Sequence, residues 1–334
     1  MSEAVTDQIT LWTYIFLKTV LKLVDLISVP LNAPFVPGTL LHWPFLLSAV
    51  LLTIIAYGGG RRALRFFREY FSLKVWWHPS ARADYIYYLI NGALFPIVFA
   101  SLLATSSFVA NSIAGWFSDA GMAAGEVAGT DVHWVVITAF SVAIFCAHDL
   151  GRFLGHWVQH KIQFLWEFHK IHHSAEVLTP FTSFRVHPVD LLLMSMTPGV
   201  LTGIVGGIAI VSTGGRIDVW EVLGMHAGIA AYHLVSNLRH THVWLSYGPV
   251  LSKYLISPAQ HQIHHSADEK HFHKNIGWAF AIWDRLFGTL YIPRAEEKII
   301  FGLGDGTDSD YHGVVRMYFL PVVRAFVGLV ANKN

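Results

Sequence analysis

Apolar residues run along this chain in long, nearly uncharged stretches, and polar residues collect between them. A helix needs roughly 20 mostly apolar residues to cross a bilayer core. Residues 40–57 qualify, with His42 and Pro44 at their start. Residues 85–110 qualify, with Pro96 as an expected kink. Residues 189–211 qualify, and Gly203, Gly206 and Gly207 would let another helix approach closely. Residues 132–147 are shorter but almost free of charge, and 219–235 are weaker because they carry Glu221, His226 and His233. Residues 11–31 hold Lys18, Lys22 and Asp25, so they either span by snorkelling or lie on the surface. Residues 314–330, split by Arg316 and Arg324, read as interfacial. Strand signals are weak, and no internal repeat appears. The expected fold class is all-α: an integral-membrane helical bundle of about four to six membrane helices, with a cytoplasmic, histidine-rich helical cap.

Composition supports this picture. Of 334 residues, 54% are hydrophobic and 13% charged, against about 25% charged in an ordinary soluble domain. A net charge of +1 offers nothing to nucleic acid. A single cysteine, Cys146, excludes a disulfide framework or a cysteine-held cluster within one chain. Residues 1–10 carry Glu3 and Asp7 and lack a basic run, so no cleavable signal peptide is expected there.

Charge also orients the bundle. Arg61, Arg62, Arg65, Arg68, Lys74 and Arg82 put the loop after the first strong span in the cytoplasm, whereas 111–131 holds Asp119, Glu126 and Asp131 without Lys or Arg and faces away. The span beginning at 132 then returns the chain to the cytoplasm near His148. If 189–211 and 219–235 form a hairpin, everything from 238 onward is cytoplasmic too.

The 20 histidines nearly equal the 23 Lys+Arg. Seven lie between His148 and His187 and nine between His226 and His273, so both rich windows fall on one predicted side. His42, His78, His133 and His312 are scattered and read as interfacial or surface residues. Within the windows stand an HxxxH box, His156 and His160, and two HxxHH boxes, His169-Lys-Ile-His172-His173 and His261-Gln-Ile-His264-His265. Residues i, i+3 and i+4 share one helix face, so each box projects its imidazoles together. Neutral imidazole suits iron, zinc and copper. Eight histidines exceed the ligands one metal takes and suit two metals with one or two further donors. His240 is the favoured addition: His233, Asn237 and His240 at i, i+4 and i+7 would form one helical stripe passing near His226. His148, His187, His226, His233 and His242 stay open between supporting hydrogen bonds and bland roles. Asp149 and Glu176, flanking the first boxes, are open between orienting ligand imidazoles and lying solvated.

These boxes resemble the fatty acid hydroxylase/sterol desaturase superfamily of integral-membrane di-iron enzymes. The resemblance runs from His148-Asp-Leu-Gly-Arg-Phe-Leu-Gly-His156 and His160 through Leu165-Trp-Glu-Phe-His169 to Glu176 and Arg185-Val-His187-Pro. It resumes at His240-Thr-His242 and Ser257-Pro-Ala-Gln-His261, and closes with Asn275-Ile-Gly277 and Trp283-Asp-Arg-Leu-Phe-Gly-Thr289. Two positions depart from many relatives: Trp157 stands where Arg is common and His242 where Asn is common. Neither touches a box. The first box has the shorter spacing found among sterol and bacterial members.

The resemblance implies three segments: membrane helices and a basic loop in 1–131, a catalytic domain in 132–293, and an interfacial tail in 294–334. It implies two iron ions and O₂, with the eight box histidines as the catalytic set and His240 as a ninth metal ligand. The reaction implied is hydroxylation of a membrane-lipid C–H bond: a fatty acyl chain, an ether lipid, an aminolipid such as ornithine lipid, or a sterol-like ring. No dinucleotide fingerprint, P-loop or CxxC occurs, and the glycine-rich 301–306 reads as a loop. Electrons from NAD(P)H would therefore arrive through a separate ferredoxin, cytochrome or reductase, for which the basic 61–82 loop is a possible dock and lipid a blander partner. The expected setting is a bacterial inner membrane with the site facing the cytoplasm. The alternatives are a desaturase on the same site, a non-redox metal-binding or transport protein, and a zinc hydrolase. Transport would spread ionisable residues through the spans; a zinc hydrolase would want HExxH, which is missing.

Overall fold

The computed structural model describes residues 18, 28–92, 94–121, 134–214 and 218–331. The described chain is mostly helical, and its one small sheet is the two-stranded hairpin β1 (Glu221–Val222) and β2 (Met225–His226). Most of residues 11–31, the outward loop beyond 121 and His133 lie outside the described residues.

The apolar runs do not each become one long helix. Residues 40–57 yield α1 (Trp43–Ala56), only 14 residues long, with His42 at its N-cap and Pro44 in its first turn. The basic stretch that read as a loop is partly the helix α2 (Gly60–Tyr70). The run 85–110 divides between α3 (Pro79–Gly92) and α4 (Phe95–Asp119). Pro96 therefore opens a helix instead of kinking one, because proline's missing N–H costs nothing in a first turn. The run from 132 extends far past Ala147 as the 28-residue α5 (Trp134–Lys161), and α6 (Gln163–His173) follows after the extended Ile162. The 189–211 run forms α7 (Pro188–Thr213). The 219–235 run is not one helix: it breaks into the β-hairpin and α8 (Ala227–Ser236). The short α9 (Pro258–His264) and α10 (Ile282–Phe287) follow, then α11 (Val314–Ala331).

Two described helices, α5 and α7, are long and apolar enough to cross a membrane. Only 17% and 39% of their apolar windows are buried, which argues against a soluble core and for a lipid-facing surface. Helix α7 packs along both α4 and α5. Small residues make this possible. Gly199, Gly203 and Gly207, one turn apart, press against Thr105, Val109 and Ile113 of α4, as the glycine run suggested. On α7's other side, Gly151 of α5 meets the backbone of Pro198.

The site end is tied down by buried polar clamps. Arg185 is fully buried and uses every donor group of its guanidinium. It reaches Ile171 O at 2.8 Å, Ser174 Oγ at 2.9 Å, Tyr311 O at 2.9 Å and Asp84 Oδ1 at 2.7 Å. Asp84 also accepts from Thr182 Oγ1 at 2.8 Å. The C-terminal end of α6, which carries the first HxxHH box, is thereby fastened to α3 and to the segment leading into α11. Helix α11 also packs on α6, with Arg324 bonded to Asp310 and to the Tyr311 hydroxyl. His42 is buried against Trp43 and Phe45, which corrects its reading as a surface residue.

A methyl group at position 151 would come within 2.3 Å of Pro198 Cα, whereas one at Gly115 of α4 would meet nothing within 4 Å. Gly151→Ala is therefore expected to destabilise the protein by about 1–3 kcal/mol through overpacking, and Gly115→Ala to be neutral or mildly stabilising. Thermal unfolding of the two variants in detergent checks this; equal midpoints would contradict the close α5–α7 contact.

Candidate metal centre

Box one sits at the C-terminal end of α5, box two at the end of α6, and box three on α9. The last is a seven-residue helix that stands through its caps. Ser257 and Gln260 form a reciprocal capping box, and Pro258 occupies the first turn. His240 comes from elsewhere. Helix α8 ends at Ser236, so the expected helical stripe through His233 and His240 does not exist. A turn after α8 delivers His240 instead.

All nine histidines singled out from the sequence as metal ligands converge in two buried groups. The first is His156, His160, His169, His173 and His264; the second is His172, His240, His261 and His265. Within each group the ring nitrogens lie within 4.8 Å of one another. Nε2 faces Nε2 at 3.0 Å between His156 and His169, 3.1 Å between His156 and His264, 3.0 Å between His240 and His261, and 3.2 Å between His172 and His240.

The other nitrogen decides what these contacts mean. His156 Nδ1 lies 2.7 Å from Ile276 O, His264 Nδ1 2.8 Å from Lys274 O, and His169 Nδ1 2.8 Å from Asp190 Oδ2. Each partner is an acceptor, so each Nδ1 carries the proton and each Nε2 presents a lone pair. His240 Nδ1 meets Ser183 Oγ at 2.8 Å. His261 differs: its Nδ1 faces Arg239 Nη2 at 2.6 Å, a group that can only donate. Burial drives His172 down to about 3 and pushes His173, His240, His261, His264 and His265 well below the ordinary histidine range, with neighbouring imidazoles adding to it. These shifts favour the neutral ring, the form that binds metals. The Nε2 lone pairs of neutral His156, His169 and His264, aimed at one another in a buried pocket with no proton between them, fit a cation, whereas a neutral His261, accepting at Nδ1, carries its proton on Nε2 and faces His240 as a donor. Nitrogen-only donor sets of four and five suit iron, zinc or copper.

The supports were mostly invisible in the sequence. Asp190, at the start of α7, takes the orienting role considered for Asp149 and Glu176. Asp149 instead accepts from Ala279 N at 2.7 Å, Phe280 N at 3.2 Å and Trp283 Nε1 at 2.7 Å, and Glu176 pairs with His312. Asp284 accepts from Ile276 N at 2.7 Å, Gly277 N at 2.8 Å and Thr289 Oγ1 at 2.6 Å. It thus fixes the loop whose carbonyls hold His156 and His264, giving the Asn275-Ile-Gly277 and Trp283–Thr289 motifs a physical role. A Cβ at Gly277 would lie 2.5 Å from Asp284 Oδ2. The signal for Asp190 was an acid in the first turn of an apolar run, three residues after His187.

The other described histidines stay outside the clusters. His187 caps α7 by accepting from Val189 N at 3.1 Å, and His226 caps α8 by accepting from Gly228 N at 3.1 Å. His242 accepts from Leu178 N at 3.3 Å, and His148 packs its ring on Trp278. His78 accepts from Ser80 N at 3.2 Å.

A cavity of about 820 Å³ reaches the clusters. His156, His169, His172, His240 and His261 open onto it, so both groups contribute. Phe99 and Leu102 of α4, Leu191 and Met194 of α7, and Ile229 of α8 supply apolar wall.

With this geometry in view, comparison with known proteins is specific. Residues 141–289 match the fatty acid hydroxylase family model. That bears out the resemblance read from the boxes, and the matched stretch holds all nine clustered histidines with Arg185, Asp190 and Asp284. Alkylglycerol monooxygenase from Homo sapiens is 27% identical over 48% of this chain and 32% of its own length. Ornithine lipid hydroxylase OlsE from Rhizobium tropici is 28% identical over 46% of this chain and 43% of its own. Delta(7)-sterol 5(6)-desaturase ERG3 from Saccharomyces cerevisiae is 29% identical over 48% and 38%. The chain thus spans less than half the length of these curated relatives. No solved structure matches it.

Asp190 holds His169 from behind, as partners of metal-bound histidines do. Asp190→Ala is expected to lower metal affinity about 10–100-fold, with Asp190→Asn between it and the wild type. Metal retained against a graded chelator measures this. Unchanged retention in Asp190→Ala would remove Asp190 from the site.

Proposed function

We propose that this chain is a membrane-bound di-iron monooxygenase that hydroxylates a C–H bond of a membrane lipid. One observation carries the reading: nine buried imidazoles stand in groups of five and four, and five of them, drawn from both groups, border a cavity with apolar walls. In this reading His156, His160, His169, His173 and His264 hold one iron, and His172, His240, His261 and His265 hold the other. The iron pair supplies the redox chemistry: O₂, two electrons, two protons and one C–H bond become C–OH and water.

The protein's part is position and exclusion. Ile276 O, Lys274 O and Asp190 fix the rings of His156, His264 and His169, so the donor atoms need no reorganisation. The apolar wall from α4, α7 and α8 aligns a hydrocarbon with the histidine face and keeps bulk water away. A site at the ends of α5 and α6, beside helices that can span a bilayer, lets a lipid enter laterally. We assign the basic side to the cytoplasm, in a multi-pass inner-membrane protein, from the Arg61–Arg82 charges. Electrons come from a separate redox protein.

The sterol desaturases among the relatives keep a second reading open on the same site. Removal of two hydrogens, with both oxygen atoms leaving as water, would give an alkene. Product mass separates them: a gain of one oxygen for hydroxylation, a loss of two hydrogens for desaturation. Lipid extracts of a host with and without the gene, grown aerobically, are expected to differ by one lipid class carrying an added oxygen. That species should vanish with His172→Ala or His264→Ala. Unaltered lipids under every growth condition, or full product from both variants, would overturn the oxygenase reading.

A further inference from the structure

Beyond the histidines, the cavity wall holds arginine donors for which the described residues supply no acceptor. Arg152 stands one turn before His156 on α5, about 6 Å along the helix axis. Its Nη1 reaches Met194 O at 3.2 Å and its guanidinium lies 5.8 Å from the centre of the Trp278 ring, but its buried Nε has no partner. Arg239 is 4% exposed. It donates to the Tyr232 hydroxyl at 2.6 Å, to Gly277 O at 3.0 Å and to Trp278 O, and its Nε is also buried without a partner. His226 accepts from a backbone N–H at Nδ1, so its neutral ring carries the proton on Nε2, which turns to the Ser141 backbone. All three residues line the cavity.

Asp149 and Asp190 act on these arginines electrostatically, but no described carboxylate bonds them directly. Among the described residues, none lies within 4.0 Å of either arginine's nitrogens. Asp149 is taken up by two backbone N–H groups and the Trp283 indole, Asp190 by His169 through one oxygen, and Glu221 at the cavity mouth is exposed. A guanidinium removed from water calls for an anion, and the two unfilled Nε donors beside one space call for oxygen acceptors. The flanking Phe99, Leu102, Leu191 and Met194 call for a hydrocarbon attached to that anion.

We propose that Arg152 and Arg239 form the receptor for an acidic group of the substrate lipid, a phosphate or a carboxylate. Arg239 touches His261 and Arg152 stands a turn from His156, so the bonds brought to the histidines are those near the acidic group, not those in mid-chain. This inference rests on the lipid-oxygenase reading and narrows its substrate class.

Binding tests it directly. Full-length, iron-loaded protein in neutral detergent is titrated with dodecyl phosphate, dodecanoate, dodecanol and inorganic phosphate, each displacing a fluorescent fatty probe. At least one of the two acids is expected to bind about tenfold or more tightly than the alcohol, and inorganic phosphate not to compete. Arg152→Met should reduce that acid to the alcohol's affinity while iron content holds, and Arg152→Lys should keep part of the preference. Equal binding of acids and alcohol by the wild type would overturn the receptor. So would an undiminished acid preference in Arg152→Met, or displacement of the probe by inorganic phosphate, which would mark a free-anion site. If Arg152→Met does not fold, the wild-type comparison and Arg152→Lys decide. A protein that binds acids selectively yet leaves every lipid unoxidised would instead sink the oxygenase reading.

Discussion

Neutral imidazole has one donor and one acceptor. When Nδ1 donates outward to a carbonyl or carboxylate, Nε2 has only a lone pair left. His156, His169 and His264 are each held this way, with their Nε2 atoms about 3 Å apart. Such rings cannot satisfy one another, and burying them unsatisfied is costly. A shared cation resolves the conflict, and much of the surrounding structure serves to hold the conflict in place. Arg185 pins the end of α6, Asp284 pins the 274–277 loop, and the Ser257–Gln260 capping box lets a seven-residue helix carry His261 and His264 with His265 at its C-cap.

That constraint also links the membrane helices to the site. Boxes one and two occupy the last turns of α5 and α6, and Asp190 begins α7. The close α5–α7 contact at Gly151 and Pro198 therefore sets where His169's carboxylate partner lies relative to His156. A shift between these two helices would disturb the ligand geometry without touching a histidine.

Local periodicity made much of the centre legible. HxxxH and HxxHH place side chains on one helix face, so the boxes could be read without knowing the fold, as could the glycine run that meets α4. His240 was reached by a false route: it belongs to the cluster, but through a turn and not a helical stripe. Asp190, Asp284, Arg185 and the two loop carbonyls escaped because they act across the fold. The apolar runs did not map one to one onto helices because hydropathy does not register where a helix breaks. The 85–110 run hides the break between α3 and α4, and 219–235 hides a hairpin.

Metal stoichiometry and coordination of the purified chain test the central claim most directly. Elemental analysis with X-ray absorption at the metal edge should find two iron ions per chain, each in a first shell of nitrogen and oxygen without sulfur, with the imidazole outer-shell scattering of several histidines. One metal ion per chain, or zinc retained under conditions that supply iron, would contradict the di-iron account.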